Sequence, residues 1–303
     1  MHCSYSAQLQ LGARMCLLLV SVGCVSPAWG IFSDATTSLG ISGLFPSDKV
    51  AWGDYNLDGF VDFKSGNHLW RNNQGTSFTL AQSFGSNGIW ADYDNDGFLD
   101  IYTYNTNPPQ LHRNNAGNSF NPVAIAPPGM TLNSRGASLA DHNGDGLVDI
   151  YVGGYETPSV DYHSDIRLRN NGDDSFSYVW FQEPDAEISP GQPRPARGVT
   201  SADFDRDGDT DLYVSNYRLE PNGLYINDGA GDFTDVASSR GATGGYGHTI
   251  GSSWGDLDND GYLDLFVSNF SHGSLSQPGG PVLEKYRSCW KLPFSNGRRV
   301  ELR

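Results

Sequence analysis

The chain has 303 residues, with 35 acidic residues against 19 Lys and Arg and a formal net charge of −16. This charge argues against nucleic acid and anionic membranes as partners, because both would be repelled. Gly, Asp, Asn, Ser and aromatic residues are plentiful and helix formers are sparse, which favours an all-β fold of short strands joined by tight turns. The length allows one large all-β domain or two ordinary ones.

The first 30 residues are typical of a secretory signal peptide. Arg14 precedes an apolar run, Met15–Val25, and Ala28-Trp29-Gly30 places small residues at the two positions that determine cleavage. The run is too short to span a bilayer, and no other segment is long and apolar enough to do so. The alternative is a poorly ordered N-terminus from a misassigned start. Three of the four cysteines lie in this segment, so a mature chain keeps only Cys289 and has no internal disulfide.

A nine-residue motif occurs five times along the chain. Positions one, three, five and nine are Asp or Asn in every copy, and position six is always Gly. Oxygen ligands at alternate positions around a turning Gly suit a Ca²⁺ site. About half of the 35 acidic residues occupy these positions, so the loops without a cation would repel themselves strongly. The copies, called acidic loops one to five below, are Asp54–Asp62, Asp92–Asp100, Asp141–Asp149, Asp203–Asp211 and Asp256–Asp264.

A second motif recurs out of phase with the acidic loops. Apolar residues lead into an Asn-Asn or Asn-Asp pair, followed by a Gly-containing turn and a Phe, which predicts a β-hairpin. Together with a strand on each side of the acidic loop, one period contains four antiparallel strands, as in a propeller blade. The hairpin motifs are Leu69–Asn73, Leu111–Asn115, Leu168–Asn171 and Leu224–Asp228, and the following residues are Phe78, Phe120, Phe176 and Phe233.

Loop and hairpin together resemble the FG-GAP/VCBS repeat family, seen in integrin α-subunit propellers and in cartilage-acidic-protein-like secreted proteins. The resemblance covers about residues 31–271. It implies a β-propeller with Ca²⁺ in the hairpin between the first two strands of each blade. Carried over to this sequence, the side-chain ligands are Asp54, Asn56, Asp58 and Asp62; Asp92, Asp94, Asp96 and Asp100; Asp141, Asn143, Asp145 and Asp149; Asp203, Asp205, Asp207 and Asp211; and Asp256, Asp258, Asp260 and Asp264. The backbone carbonyls of position seven are those of Phe60, Phe98, Leu147, Asp209 and Tyr262.

We therefore expect a signal peptide over residues 1–30, propeller repeats over 31–273 and an irregular C-terminal tail over 274–303. The Pro-rich stretch from Glu183 to Arg197 is interpreted as an inserted surface loop. About five blades are recognisable, whereas integrin-type propellers have seven. The segment that starts at Phe32 is similar to the one that starts at Phe233, so an N-terminal strand could complete the last blade and close a five-blade ring. Alternatively the ring is truncated, which the missing hairpin of the fifth blade favours.

The function expected from this resemblance is a secreted, non-enzymatic adhesion or protein-interaction module with up to five structural Ca²⁺ ions. A regulatory or ligand-bridging ion is the minority interpretation. Its partner would be an extracellular protein or glycan, and the compartment would be extracellular, or periplasmic in a bacterium. The alternative is a carbohydrate-binding or lyase-type propeller. Position twelve never carries the Glu of an EF-hand. Gly251–Gly255 matches G-x-S-x-G, but an acidic loop follows it where a hydrolase needs a helix, so no catalytic residue is predicted.

Overall fold

The computed structural model describes residues 33–42, 49–106, 108–125, 132–156, 163–180, 191–245 and 247–270. The predicted signal peptide and the predicted tail lie outside these residues, as does most of the predicted insertion. The chain divides into two units, Met1–Ala35 and Thr36–Arg303, and every described strand lies in the second.

Among the described residues, four sheets have four strands each and a fifth has two. In each sheet the spatial order of the strands is their chain order, and all neighbours are antiparallel. The strands are β1 (Val50–Gly53), β2 (Asp62–Ser65), β3 (His68–Asn72) and β4 (Phe78–Ser83); β5 (Gly88–Ala91), β6 (Asp100–Thr103), β7 (Gln110–Asn114) and β8 (Phe120–Val123); β9 (Ser134–Ala140), β10 (Asp149–Gly154), β11 (Ile166–Asn170) and β12 (Phe176–Trp180); β13 (Ala196–Ala202), β14 (Asp211–Asn216), β15 (Gly223–Asn227) and β16 (Phe233–Asp235); and β17 (His248–Gly255) and β18 (Asp264–Phe270). The all-β architecture of four-stranded antiparallel blades is therefore confirmed.

The two sequence motifs connect the strands as predicted. Each acidic loop joins the first strand of its sheet to the second, and each Asn-Asn or Asn-Asp turn joins the third strand to the fourth. The turns are closed by a backbone hydrogen bond across four residues, such as that from Asn115 N to Ser119 O at 2.7 Å. One short helix, α1 (Ala237–Arg240), follows β16. Within the described ranges, no helix is long and apolar enough to cross a membrane.

Neighbouring sheets pack through their first strands. β1 lies against β5, β5 against β9, β9 against β13, and β13 against β17. Glycines permit this close approach: a Cβ on Gly136 would lie 2.9 Å from Cα of Gly198, and one on Gly198 would lie 2.8 Å from the carbonyl oxygen of Ile250. Successive contact of first strands is the arrangement of propeller blades about an axis.

The core lies between the sheets and is built from repeated positions. The residue at position two of an acidic loop contacts the Phe that begins the fourth strand of the next sheet, with ring centroids 5.7 Å apart for Tyr55 and Phe120 and 6.2 Å apart for Tyr93 and Phe176. Three second strands place a fully buried Tyr between sheets at the same position, namely Tyr102, Tyr151 and Tyr213. The buried aromatic and aliphatic surface is the main source of stability for such sheets.

The outer faces of the first and last described sheets expose apolar side chains that are covered at the equivalent positions of the inner sheets. Trp52 in β1 is 61% exposed, whereas the equivalent Trp90 stacks on Tyr55 of the preceding sheet. Leu257, at position two of loop five, is 59% exposed, whereas Phe204 at position two of loop four is fully buried. Consecutive first strands make extensive contacts with one another. Within the described part of the chain, β17 and β18 make no contact of that extent with β1–β4.

Residues 33–42 resemble the segment after β16, as the sequence predicted. Gly40 and Gly241 both have a positive φ, 74° and 68°, and each ends a short turn. The bond from Ile41 N to Thr36 O (3.0 Å) matches that from Ala242 N to Ala237 O (2.8 Å). However, residues 33–42 form no strand, so the strand expected to complete the fifth sheet is not found within them.

Candidate metal centres in the acidic loops

All five acidic loops fold around the carboxylate at position one. In loop one, Asp54 accepts hydrogen bonds from the backbone N–H groups of Asp58 (3.2 Å) and Gly59 (2.9 Å). The position-six glycines have φ between 83° and 100°, a conformation that L side chains rarely adopt. The loop is thereby shaped by its own backbone donors. Matching bonds join Asp92 to Gly97, Asp141 to Gly146, Asp203 to Gly208 and Asp256 to Gly261.

Three loops bring three carboxylates together. In each group one oxygen per residue lies within 4.8 Å of the others. Loops one and three carry Asn56 and Asn143 at position three, and both side-chain oxygens accept the N–H of position five, at 3.1 and 3.0 Å. The groups are Asp92, Asp94 and Asp96; Asp203, Asp205 and Asp211; and Asp256, Asp258 and Asp260.

Buried oxygens in these loops lack hydrogen-bond donors. Asp205 Oδ1 and Asp149 Oδ2 are inaccessible to solvent and have no hydrogen-bond partner among the described residues. A buried carboxylate oxygen without a partner is costly, and a hard cation would satisfy it. Burial and then the neighbouring Asp207 carboxylate raise the pKa of Asp205. An all-oxygen donor set suits Ca²⁺ or Mg²⁺ better than transition metals, so the residues present fit the expected ion.

The carboxylate at position nine ties the acidic loop to the hairpin of the same sheet. Asp100 is fully buried; its Oδ2 accepts Tyr93 N–H at 3.0 Å, and its Oδ1 accepts Asn114 N–H at 2.7 Å. The same pair of bonds is made by Asp62 and by Asp211. Burial is the main cause that raises the pKa of Asp62 to about 6 and those of Asp100 and Asp211 to about 7.

Position seven contributes a backbone donor to each loop. Its N–H donates to the carboxylate at position five, as from Phe98 to Asp96 at 2.8 Å and from Asp209 to Asp207 at 3.0 Å. That the carbonyl of position seven binds the ion stays a prediction. The other residues placed in the same way are Phe60, Leu147 and Tyr262.

Three loops have an arginine beside their carboxylates, which the sequence analysis missed. The residue before the first Asn of the hairpin is Arg in the first three sheets, and it contacts the loop of its own sheet: Arg71 to Asp58 at 3.2 Å, Arg113 to Asp94 at 2.5 Å, and Arg169 to Asp145 at 3.4 Å. In the fourth sheet this position is Ile226, and loop four also carries an extra carboxylate at position seven. Loop four therefore has five carboxylates and carries its own arginine, Arg206, at position four.

The first Asn of each hairpin was interpreted only as a turn residue, and the structure gives it a larger role. Asn114 Nδ2 donates to Leu99 O at position eight of its own loop (2.9 Å) and to Tyr55 O at position two of the preceding loop (2.8 Å). Asn170 and Asn227 repeat both bonds, to loops two and three. The sequence does distinguish the two positions: the first residue of the pair is Asn in all four hairpins, whereas the second is Asn or Asp. This difference indicates that the first position needs the side-chain amide.

The repeat geometry agrees with comparisons to known proteins. A family model for the FG-GAP-like repeat matches residues 92–152 and 203–267, which span acidic loops two, three, four and five. The chain carries FG-GAP-like repeats. Cartilage acidic protein 1 of Homo sapiens is 32% identical over 193 residues, covering 59% of this chain and 27% of that protein. The Xenopus tropicalis protein of the same name is 30% identical over 188 residues, with the same coverage. The chain thus spans about a quarter of the length of these relatives.

Three solved structures are similar to the FG-GAP-like repeats at low sequence identity. One is an Agrocybe aegerita lectin that recognises non-reducing terminal N-acetylglucosamine (TM-score 0.49, 19% identity, 76% of this chain and 63% of that one). Another is the V. cholerae biofilm matrix protein Bap1 (TM-score 0.37, 17% identity, 72% and 34%). The third is the exotype rhamnogalacturonan lyase YesX (TM-score 0.34, 13% identity, 74% and 39%).

Proposed function

We propose that the five acidic loops bind Ca²⁺ and that the ions stabilise the repeats of a secreted, non-enzymatic binding module. The observation that carries this proposal is that carboxylate oxygens converge within 4.8 Å in three of the loops, while backbone N–H groups already hold the position-one carboxylate in all five. Bound Ca²⁺ would supply positive charge among these oxygens. The side chains at positions one, three, five and nine would hold it, and the backbone bonds within each loop would keep those side chains oriented.

A structural role for the ions is supported by how position nine is used. One of its oxygens accepts an N–H group of the acidic loop, and the other accepts an N–H group of the hairpin. The carboxylate that would complete a metal site therefore also links the acidic loop, the second strand and the third strand of its sheet. Without a cation, a buried carboxylate beside other carboxylates destabilises the fold. Calcium would offset this repulsion and stabilise the folded state by mass action.

The non-enzymatic part of the proposal is supported by the surroundings of the side chains that could react. His142 is fully buried with its ring 5.7 Å from Phe233, and burial lowers its pKa to about 4. His112 packs on Phe84 and contacts Thr103 Oγ1. Ser253 lies within β17, which leads into acidic loop five and not into a helix. These groups take part in packing or in a regular strand.

Secretion and binding rest on sequence and relatives. The signal-like segment of residues 1–30 and the likeness to cartilage acidic protein 1 support an extracellular location. The partner in this proposal is an extracellular protein or glycan. Because the chain covers about a quarter of those relatives, the proposal concerns the repeats themselves.

The calcium proposal is tested on the secreted protein by metal analysis and thermal unfolding. We expect up to five Ca²⁺ per chain, a lower Tm after chelation, and recovery with Ca²⁺ but poorly with Mg²⁺, which demands tighter octahedral geometry. Asp205→Asn should remove one ion and lower Tm. Asp173→Asn, at an exposed hairpin position, is the matched control. An unchanged Tm on chelation would overturn the structural role.

A further inference from the structure

Three arginines and two tyrosines form a continuous stack at the end of the third and fourth sheets opposite the acidic loops. Arg135 and Arg197 lie at the starts of β9 and β13, whereas Tyr155 and Tyr217 directly follow β10 and β14. Acidic loops three and four lie at the other ends of these strands. We call Arg135, Tyr155, Arg197, Tyr217 and Arg218 the arginine–tyrosine stack.

The members of the stack alternate, and each guanidinium faces a ring. Arg135 lies 5.4 Å from the centroid of Tyr155, and Arg197 lies 5.7 Å from Tyr155 and 4.8 Å from Tyr217. Arg218 lies 5.9 Å from Tyr217 at the other end. Cation–π contact holds a guanidinium by its flat face and leaves its N–H groups, which point outward in its plane, able to bind an acceptor.

The carboxylate of Glu156 contacts this stack at its Arg218 end. Glu156 receives both Arg218 Nε (2.8 Å) and Arg218 Nη2 (2.7 Å), so this ion pair is complete. Arg197 donates one bond, from Nη1 to the Tyr155 hydroxyl at 3.1 Å. Neither Arg135 nor Arg197 forms an ion pair in the ranges that the structure describes. By contrast, Arg71, Arg113 and Arg169 at the loop end each contact a carboxylate.

Arg135 has a donor that lacks an acceptor. Its Nε is inaccessible to solvent and has no hydrogen-bond partner among the described residues. Both Arg135 and Arg197 are half-buried, so they are partly desolvated and still reachable from solvent. Lys49 adds positive charge nearby, because its Nζ donates to the carbonyl oxygen of Arg135 at 2.6 Å. Two guanidiniums that form no ion pair with a described residue thus lie at one place in a chain of net charge −16.

We propose that Arg135 and Arg197 of the arginine–tyrosine stack bind an oxyanion group, a carboxylate or a sulfate, of the partner that this module recognises. Planar forked donors match both groups, and half-burial strengthens each charge-assisted hydrogen bond. An extended polyanion would be repelled by the acidic remainder of the surface. The ligand is therefore one with an isolated acidic group.

The proposal is tested by calorimetric titration of the Ca²⁺-saturated full chain with sodium glucuronate and with sodium sulfate, each against sodium chloride at matched ionic strength. The two probes distinguish a carboxylate from a sulfate source. Arg135→Met and Arg197→Met should each weaken binding ~10-fold or more, as expected for losing a charge-assisted hydrogen bond. Arg240→Met is the control, because Arg240 is an exposed arginine at the end of α1, outside both the arginine–tyrosine stack and the acidic loops.

Arg197→Lys keeps the positive charge, and it distinguishes weaker binding from a folding defect that the Met variants could cause. It should retain the wild-type circular dichroism spectrum and still bind more weakly, because an ammonium has no planar fork. The proposal is overturned if neither probe binds the wild-type protein at tens of millimolar, or if both Met variants bind as the wild type does. The titration is done at saturating Ca²⁺, and the calcium proposal is tested separately by metal analysis and Tm. A failure of oxyanion binding is therefore distinguishable from a failure of calcium binding.

Discussion

Asn114 and Tyr55 are joined across two sheets: the side-chain amide of Asn114 in β7 donates to the carbonyl of Tyr55 in acidic loop one at 2.8 Å. The same amide group donates to Leu99 O at 2.9 Å. Asn114→Ala should therefore lower the free energy of unfolding by about 2–4 kcal/mol, since it leaves two carbonyl groups without donors in a buried place. Urea denaturation in saturating Ca²⁺ measures the change.

The neighbouring Asn115 is the control for that variant. Its Nδ2 donates to the hydroxyl of Ser119 at 3.1 Å, within the exposed turn. Asn115→Ala should cost less than about 1 kcal/mol. Equal losses for the two variants would mean that Asn114 acts only as a turn residue.

Gly198→Ala tests the close packing of first strands. The added Cβ would lie 2.8 Å from the carbonyl oxygen of Ile250, a backbone atom that cannot move freely. We expect a loss of about 1–3 kcal/mol, the usual cost of overpacking. A Cβ on Gly251 of β17 would meet no atom within 4 Å, so Gly251→Ala should be neutral or slightly stabilising. Thermal unfolding of both variants decides whether the sheets pack as described.

Arg113 should oppose ion binding at acidic loop two. Its guanidinium lies 2.5 Å from Asp94 Oδ2, where it competes with a divalent cation for the carboxylate. Arg113→Met should tighten binding at this loop several-fold, whereas Ile226→Arg should weaken binding at loop four, where the fourth sheet lacks the arginine. Calcium titration with a competing chelator measures both. Weaker binding by Arg113→Met would show instead that the arginine holds the loop in shape.

Lys64 should make stability depend on pH above neutrality. It occupies the position of Tyr102, Tyr151 and Tyr213, and its buried ammonium donates to Ser86 O at 2.6 Å and to Gly66 O. Burial lowers the pKa of this ammonium from 10.5 to about 8. The unfolded chain therefore binds the proton more tightly, so the penalty on folding is full below pH 8 and disappears as the pH rises to 10.5.

The measurement for Lys64 is the free energy of unfolding of the wild type minus that of Lys64→Met at a series of pH values. Between pH 8 and 10.5 this difference should shift in favour of the wild type by roughly 3 kcal/mol. Titrating groups common to both proteins cancel in the difference. Parallel curves would mean that the ammonium is solvated in the folded protein.

The sequence was sufficient for the blades because their patterns are local. The hairpin turns and the phased acidic loops are each specified within a few residues, and both connect the strands where predicted. The links from Asn114 to Tyr55 and from Arg113 to Asp94 depend on how strands and sheets lie beside one another, so no local pattern specifies them. The ligand set and the nature of the ion stay predictions.

The arginine–tyrosine stack is likewise not specified by a local sequence pattern. Arg135 and Arg197 each lie six residues before an acidic loop, and Tyr155 and Tyr217 each lie six residues after one. This spacing is visible only once the repeats are aligned. Their contact requires the third and fourth sheets to pack side by side, which periodicity alone does not establish.

The bonds of the hairpin Asn residues also have a direction. Asn114, Asn170 and Asn227 each donate one bond from their own sheet back to the loop before it, so the loops of the first three sheets are braced by their successors. Such nearest-neighbour linkage makes the array behave as a one-dimensional chain of coupled units. An ion that leaves one loop should loosen the hairpin of the following sheet first, so that calcium depletion would spread toward the C-terminal sheets and local opening would be polarised along the chain.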